Sequence, residues 1–407
     1  MSFKKILSIL FINISFSAAF AAEPTGNYKL YGFVRNDFYI NSRQNIEALD
    51  GLFNIFPKPV DLNQSSEDKN AVPNAEMLSI ATRLGLDFTG TTLFGGKASA
   101  KIECDFAGIS TSYYLIRLRQ AYMKLNWENT ELLVGQTWHP LFGNVMPTVP
   151  SLNTGSPFQP FNRSPQIRLK QALDGNFSLI AAATYQMQYM SQGPNGTSAS
   201  YLKNALLPNL YVGFENKSNK WTTGIGFDAK TLKINHEKLN STSVVAYTQF
   251  VQKAIQMKAK VVYGQNLSDH LMIGGYGVSG TNSTTNEPAY SNLNTLSSWL
   301  NVVYGSKLQV GIFAGISQNL GAHLELKMGS TGKYTVYGYG FYPEIQQLVD
   351  RLFRIAPHVS YNLSNFKLAA EYELTSAQYG NIQSNGRISN PYSVNNHRVM
   401  ATISYLF

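Results

Sequence analysis

The chain alternates apolar and polar residues in one segment after another, and this period of two limits what it can fold into. In the last segment Val399, Ala401, Ile403, Tyr405 and Phe407 form one face, and Arg398, Met400, Thr402, Ser404 and Leu406 form the other. A strand with one face in lipid and one in water has this pattern. Beyond residue 22 no run approaches the ~18 consecutive apolar residues that a membrane-spanning helix needs. A membrane form would therefore be a closed barrel, in which every backbone group is paired.

Sixteen segments fit the strand pattern. They run near 28–40, 78–88, 98–106, 115–127, 131–138, 166–173, 177–189, 210–216, 221–230, 243–252, 256–264, 298–304, 308–317, 352–361, 366–375 and 398–407. In the second of them, Leu78 to Phe88, even-numbered residues form the apolar face. A barrel with both ends on the same side needs an even number of strands, so sixteen fits, with fourteen and eighteen left open. Pro343 followed by Ile345 and Leu348 could open a short helix within a loop.

The links between these segments alternate between short and long. Short links lie at 90–92, 128–130, 174–176, 216–220, 305–307 and 362–365, and long ones at 42–76, 139–165, 190–208, 265–296, 318–350 and 377–396. Bacterial outer-membrane barrels alternate short periplasmic turns with long external loops in this way. A soluble sandwich has no reason to do so. The pattern predicts an all-β, transmembrane antiparallel barrel of about sixteen strands.

The first residues have the features of a secretory signal peptide. Lys4 and Lys5 precede an apolar run, which small residues follow up to Ala21 and Ala22. We expect a signal peptide at 1–21 and one barrel domain at 22–407. The single cysteine, Cys104, excludes an intramolecular disulfide and is expected to face lipid.

Enzymatic chemistry has little support in the sequence. None of the six histidines pair at zinc-ligand spacing, and no Ser and His can be placed side by side on one wall. Gly275 to Gly280 match a dinucleotide fingerprint but lack the following helix. We therefore expect no catalytic residue, no metal and no cofactor. Most of the four tryptophans (Trp127, Trp138, Trp221 and Trp299) fit aromatic girdles at strand ends.

Basic residues are in excess on the inward face of the predicted barrel. The loop 139–165 is expected to fold inward, and Arg117, Arg119, Arg163 and Arg168 are the predicted pore constriction. The predicted pore lining adds Arg35, Arg83, Lys170, Lys258, Lys260, Arg354 and Arg398. A narrow passage between walls of low dielectric concentrates the field of such charges. The alternative, left open, is that these cations pair with inward acids as a structural ladder.

These features predict an outer-membrane porin for passive diffusion of small hydrophilic, preferentially anionic solutes. The formal charge of +9 could also attract nucleic acid, but an exported protein rarely meets it. The expected partners are outer-membrane lipid and small anionic solutes, and no nucleic acid. The alternative function is a ligand-specific or adhesion-type barrel acting through its long external loops.

Several stretches resemble the DcaP-like trimeric porins of Gram-negative outer membranes. They are KLYGFVR at 29–35, LIRLRQAY at 115–122, LVGQTW at 133–138, PQIRL at 165–169, RIAP at 354–357 and EYE at 371–373. The resemblance covers the first half of the chain and the last sixty or so residues. It implies a homotrimer of sixteen-stranded barrels that passes small anions such as dicarboxylates, with inward arginines near the constriction. Arg117, Arg119 and Arg168 lie in the matching stretches.

Overall fold

The computed structural model describes residues 26–49, 51–107 and 115–407, so the predicted signal peptide lies outside the described residues. Sixteen long strands form the wall of the molecule. They are β1 (Asn27–Asn41), β2 (Arg83–Leu93), β3 (Gly96–Asp105), β4 (Arg117–Asn126), β5 (Thr130–Trp138), β6 (Arg163–Ala172), β7 (Phe177–Thr184), β8 (Asn209–Lys217), β9 (Trp221–Ile234), β10 (Glu237–Gln252), β11 (Ile255–Gln265), β12 (Pro288–Gly305), β13 (Leu308–Ala322), β14 (Gln347–Leu363), β15 (Phe366–Ile382) and β16 (Ile388–Leu406). Each predicted strand corresponds to one of them.

Every strand pairs antiparallel with the next one along the chain, and the last closes on the first. In the closing pair Phe33 lies opposite Leu406 and Asn41 opposite Arg398. A closed ring leaves no unpaired strand edge, which is what a lipid environment requires. The prediction of a sixteen-stranded antiparallel barrel is confirmed.

The two faces of the wall differ as the alternation predicts. On β16, Val399, Ile403 and Tyr405 are exposed on the outside, while Arg398 and Met400 are buried inside. Cys104 lies opposite Leu84, an exposed residue of the outer surface. The outer surface of the barrel is apolar and fits a hydrocarbon layer.

The predicted strand 78–88 is wrong in its first half, because the observed strand β2 begins only at Arg83. Arg83–Leu93 pairs with the first half of β1, and a separate short strand, Asn74–Leu78, pairs with the second half. The residues between, 79–82, form a turn in which the Thr82 amide donates to the Ser79 carbonyl. This turn shifts the alternation by one residue. As a result Leu78 is buried and Met77 is exposed, contrary to the prediction.

The remaining elements lie in the long connections. They are the strands Asn45–Ala48, Phe53–Pro57, Gly274–Thr281, Val336–Tyr339 and Phe341–Tyr342, the α-helix α1 (Ser200–Lys203), and the 3-10 turns Pro140–Phe142 and Ser268–His270. The helix predicted after Pro343 is wrong, because a turn there leads directly into β14 at Gln347. Within the described residues no helix is long and apolar enough to cross a membrane.

Candidate functional site

The connection between β5 and β6, residues 139–162, folds into the barrel and is called the inner loop below. Leu141, Val145 and Phe158 on this loop are fully shielded from solvent. Their burial fits the composition of the loop, which has many apolar residues and no acid. The predicted inward fold of this loop is therefore present in the structure.

Basic side chains from distant strands hold the inner loop in place. Lys260 on β11 donates to the Phe142 carbonyl and, at 2.6 Å, to Gln159 Oε1. Arg354 on β14 donates to the Ser156 carbonyl at 2.9 Å. Arg35 on β1 donates to the Pro150 carbonyl at 2.8 Å, while its own charge is paired with Asp37. The loop is thus bonded to the wall at widely separated strands.

A second segment, the hairpin formed by Asn45–Ala48 and Phe53–Pro57, also lies inside the barrel and is called the inner hairpin. Its Phe53 ring packs edge-on against Phe161 of the inner loop, with ring centroids 4.8 Å apart. Arg354 binds it through the carbonyls of Asn54 and Ile55, at 2.8 and 2.9 Å. Because Arg354 also holds the inner loop, one guanidinium joins both inward segments.

A third inward segment, residues 266–273, meets the inner loop at a buried polar cluster. Lys230 on β9 binds Asp269 at 2.6 Å, and Asn162 donates to the Asp269 carbonyl at 2.8 Å. Burial would raise the pKa of Asp269, but Lys230 outweighs it and holds this pKa at about 2. Burial lowers the pKa of His270 to about 4. His139 packs edge-on against His270, with ring centroids 4.8 Å apart, and burial lowers its pKa too.

The inner loop borders a first cavity of about 440 Å³, called cavity A. Its basic lining residues are Arg35, Arg83, Arg117, Arg119, Arg163, Lys258 and Lys367, and its acidic ones are Glu103 and Asp105. Positive charge is therefore in clear excess around this space. Such a lining raises the local concentration of anions.

The acids of cavity A are bound by two of the predicted arginines. Arg117 holds both oxygens of Asp105, at 2.9 and 2.7 Å. Arg119 bridges Glu103 at 2.8 Å and Asp105 at 2.7 Å. The alternative that inward cations pair with inward acids as a structural ladder therefore holds for Arg117 and Arg119.

Other donors of cavity A are left without an acceptor. Arg83 approaches Glu103 only to 3.9 Å. Arg163 lies flat over the Trp138 ring, with its guanidinium carbon 3.9 Å from the ring centroid. Among the described residues nothing accepts a hydrogen bond from Arg83 Nε, Arg117 Nη1 or Arg163 Nε. A buried N–H without an acceptor is costly, and these groups show that the acids of the lining do not satisfy all of its arginines.

A second cavity, of about 560 Å³, lies on the other side of the inner loop and is called cavity B. Its charged lining residues are Lys124, Glu131, Arg168, Lys170, Glu215 and Lys217. Most of these charges are paired, Lys124 with Glu131 and Lys170 with Glu215, each at 2.8 Å. Arg168 reaches Glu131 only at 4.0 Å and has no hydrogen bond to a described residue.

The structure divides the predicted constriction. Arg117, Arg119 and Arg163 line cavity A, whereas Arg168 lines cavity B. Of the predicted pore lining, Arg35, Arg83 and Lys258 join cavity A and Lys170 joins cavity B; Lys260, Arg354 and Arg398 are buried against the inward segments. Arg398, for example, stacks on Tyr39 at 3.9 Å and approaches the Gly51 carbonyl. A direct role of any of these residues in permeation stays a prediction.

Sequence reasoning missed Lys124 because the alternation of β4 changes phase at a bulge. Glu103 lies opposite Gln120 and Cys104 opposite Leu118, which leaves Arg119 as the extra residue. Inward side chains are odd-numbered before the bulge and even-numbered after it. Glu215 and Lys230 were also missed, although parity with the outward Phe214 and Phe227 would have found them.

Two of the tryptophans are not in girdles. Trp138 stacks on Phe142 at 4.2 Å, and Trp299 is buried in the lumen, donating to Gln159 at 3.1 Å. Both hold the inner loop. Trp221, exposed on the outside next to Phe250 at the end of β9, does fit a girdle. Within the described residues no group of three or more His, Cys, Asp or Glu could hold a metal ion.

A closed barrel of sixteen antiparallel strands, apolar outside and narrowed by the β5–β6 loop, is the architecture of the outer-membrane porins, which are integral, multi-pass membrane proteins. Comparison with solved structures agrees. The outer-membrane channel DcaP of Acinetobacter baumannii has a TM-score of 0.70 at 20% identity, covering 95% of this chain and 99% of that one. The resemblance seen in the sequence is thus confirmed for the fold.

More distant structures have the same architecture. The in-vitro folded outer-membrane protein OmpT of Vibrio cholerae has a TM-score of 0.55 at 9% identity, covering 95% of this chain and 99% of that one. An anion-selective porin from Comamonas acidovorans has a TM-score of 0.53 at 9% identity, covering 94% and 100%. No protein-family model and no curated protein sequence matches the chain.

Proposed function

We propose that this protein is a passive diffusion channel of the outer membrane for small hydrophilic solutes, with a preference for anions. The observation that carries the proposal is cavity A, in which seven basic residues face two acidic ones. Three of its guanidinium N–H groups have no acceptor among the described residues. The excess of positive charge raises the local concentration of a solute carboxylate or phosphate, and Arg can bind such a group through two N–H groups at once.

The comparisons support a channel in general terms. The A. baumannii protein is an outer-membrane channel, and the C. acidovorans protein is an anion-selective porin. The expected absence of enzymatic activity is part of the proposal.

The test is ion selectivity in a planar lipid bilayer. The purified protein is inserted between two KCl solutions of different concentration, and the reversal potential is measured. We expect a reversal potential that is shifted from zero toward the equilibrium potential of chloride. The preference for chloride should weaken at high salt, because salt screens the charges of the lining. A reversal potential at zero or on the potassium side would refute anion preference, and absence of any conductance would refute the channel itself.

We further propose that the protein is a homotrimer, as the DcaP-like resemblance implies. The expected result is a species of three chains after mild detergent extraction and chemical cross-linking, measured by light scattering. A monomer that neither cross-links nor associates at high concentration would contradict this proposal and leave the channel proposal untouched.

A further inference from the structure

The inner loop lies between the two cavities, and each cavity is bordered by a different part of it. Its residues from Met146 to Leu152 face cavity A, and those from His139 to Asn144 face cavity B. Only the boundary residues Trp138 and Met146 line both. The loop is fixed in this position by Lys260 at Phe142 and by the Asn301 side chain, which accepts from the Thr148 amide at 2.7 Å.

The arginines of the two cavities that make no close ion pair are also far apart. Arg163 stands at one end of β6 and Arg168 five residues further along the same strand. At ~3.3 Å per residue this places them about 16 Å apart along the strand. A small solute cannot bind both.

Cavity B differs from cavity A in the chemistry that it offers. Arg168 lies between two carboxylates, since Glu131 lies on the neighbouring strand β5 and Glu215 on β8. Two of its cations, Arg168 and Lys217 at the end of β8, make neither a close ion pair nor a side-chain hydrogen bond with a described residue. Because these carboxylates neutralise Lys124 and Lys170, little positive charge besides that of Arg168 is left for a second negative group, and Glu131 Oε1 can still accept a hydrogen bond from a hydroxyl group.

The wall of cavity B leaves room for such a solute. Tyr211 and Tyr247 lie flat against it, over Gly213, Gly224 and Gly226 of β8 and β9. A Cβ at any of these glycines would collide with a tyrosine ring and push it toward the cavity. Glycine therefore keeps the rings close to the wall, and the Tyr247 hydroxyl is held there by Glu215 at 3.0 Å.

We infer that cavity B is a second solute site, separate from cavity A, in which Arg168 binds the carboxylate of small hydroxy monocarboxylates. The hydroxyl group of the solute would donate to Glu131, of which only Oε2 accepts a hydrogen bond from a described residue, that from Lys124. Cavity A, with seven basic and two acidic residues in its described lining, suits anions of higher charge. This inference rests on the proposed function, because it assumes that solutes enter the lumen.

The experiment compares two probes, lactate and malonate, in the reconstituted full-length protein. The permeability of each relative to chloride is obtained from reversal potentials, with chloride on one side of the bilayer and the probe on the other. Arg168→Gln is expected to lower the permeability of lactate relative to chloride (the lactate ratio) several-fold. The permeability of malonate relative to chloride (the malonate ratio) should stay unchanged. Arg83→Gln, its counterpart in cavity A, is expected to do the reverse.

A third variant separates binding from general charge. Arg168→Lys keeps the positive charge but loses the two parallel N–H donors, so it should lower the lactate ratio while the selectivity between chloride and potassium stays as in the unmodified protein. If instead Arg168→Lys left the lactate ratio intact, Arg168 would act only through its field, and the inferred carboxylate site would be wrong. If Arg168→Gln and Arg83→Gln changed both ratios equally, the lumen would contain one site and the inference would likewise be wrong. An unmodified protein that prefers cations would refute the proposed function instead.

Discussion

The inward arginines, which sequence parity treats as alike, differ in what their guanidinium groups already bind. Arg35 is engaged by Asp37 and the inner loop, and Arg119 by two acids. Arg83 and Arg168, by contrast, have acids only at 3.9 and 4.0 Å. A cation that is already paired adds little to the field in the lumen, whereas an unpaired one adds nearly its full charge. Pairing, and not the number of arginines, therefore determines where an anion would bind.

The residue-scale prediction concerns the acid shared by Arg117 and Arg119. Asp105→Asn removes one negative charge and frees donors on both arginines, so we expect a stronger preference for chloride over potassium. The measurement is the reversal potential in a KCl gradient, at low salt where the effect is largest. Asp61→Asn removes the same charge from an exposed loop pair with Lys69 and is the control. A shift of equal size in both variants would show that net charge, not cavity A, sets selectivity.

At the scale of elements, the lumen is shaped by three connections that fold inward, and each is held by a buried cation. Lys260 holds the inner loop, Arg354 the inner loop and the inner hairpin, and Lys230 the segment 266–273. A hydrogen bond from a charged donor contributes about 1.5–3 kcal/mol, more than one between neutral groups. Such ties keep polar loop backbone inside the barrel, where an unpaired carbonyl would be costly.

The element-scale prediction removes one of these ties. Lys260→Met keeps the aliphatic part of the side chain but loses the bonds to Phe142 and Gln159, so the inner loop is expected to leave its position part of the time. Single-channel recordings should then show a larger and noisier conductance than the unmodified protein. Lys333→Met changes an exposed lysine of a long loop and should leave the conductance as it was. An unchanged current in Lys260→Met would mean that the remaining contacts of the loop suffice.

At the scale of the whole molecule, the register of the wall determines which residues face lipid and which face the lumen. The register is set by two-residue alternation, so a shift by one residue exchanges the two faces of a strand. Several register shifts occur in the described wall, and two of them, at the turn 79–82 and at the bulge of β4, lie beside cavity A. Between these irregularities the two faces follow the pattern of the sequence.

The prediction at this scale uses the single cysteine. Cys104 lies on the outer face, next to Leu84 and just before the bulge, so a water-soluble thiol reagent should label it slowly in membranes. Lys258→Cys in a Cys104→Ser background places a thiol at cavity A and should react rapidly. The rates are compared by mass spectrometry. Rapid labelling of Cys104 would show that the register of β3 is off by one residue.

The sequence by itself determined the wall. Alternation along each strand and the spacing of the turns are local properties, imposed by lipid on one side and water on the other. They were sufficient for sixteen strands, for the outward face of β16 and for the inward direction of Arg83, Arg117 and Arg168. They failed at Leu78 and Lys124, where a turn or a bulge inserts an extra residue. The alternation of the sequence does not show where such an insertion occurs.

Only the tertiary structure decided what fills the lumen. The inner hairpin was expected to be an external loop, and Arg354 a pore-lining residue, until the structure placed carbonyls 198 to 300 positions away within reach of that guanidinium. The separation of Arg168 from Arg117, Arg119 and Arg163 has the same origin. Contacts between loops and opposite walls depend on how the closed barrel brings distant segments together, and neither composition nor period carries that information.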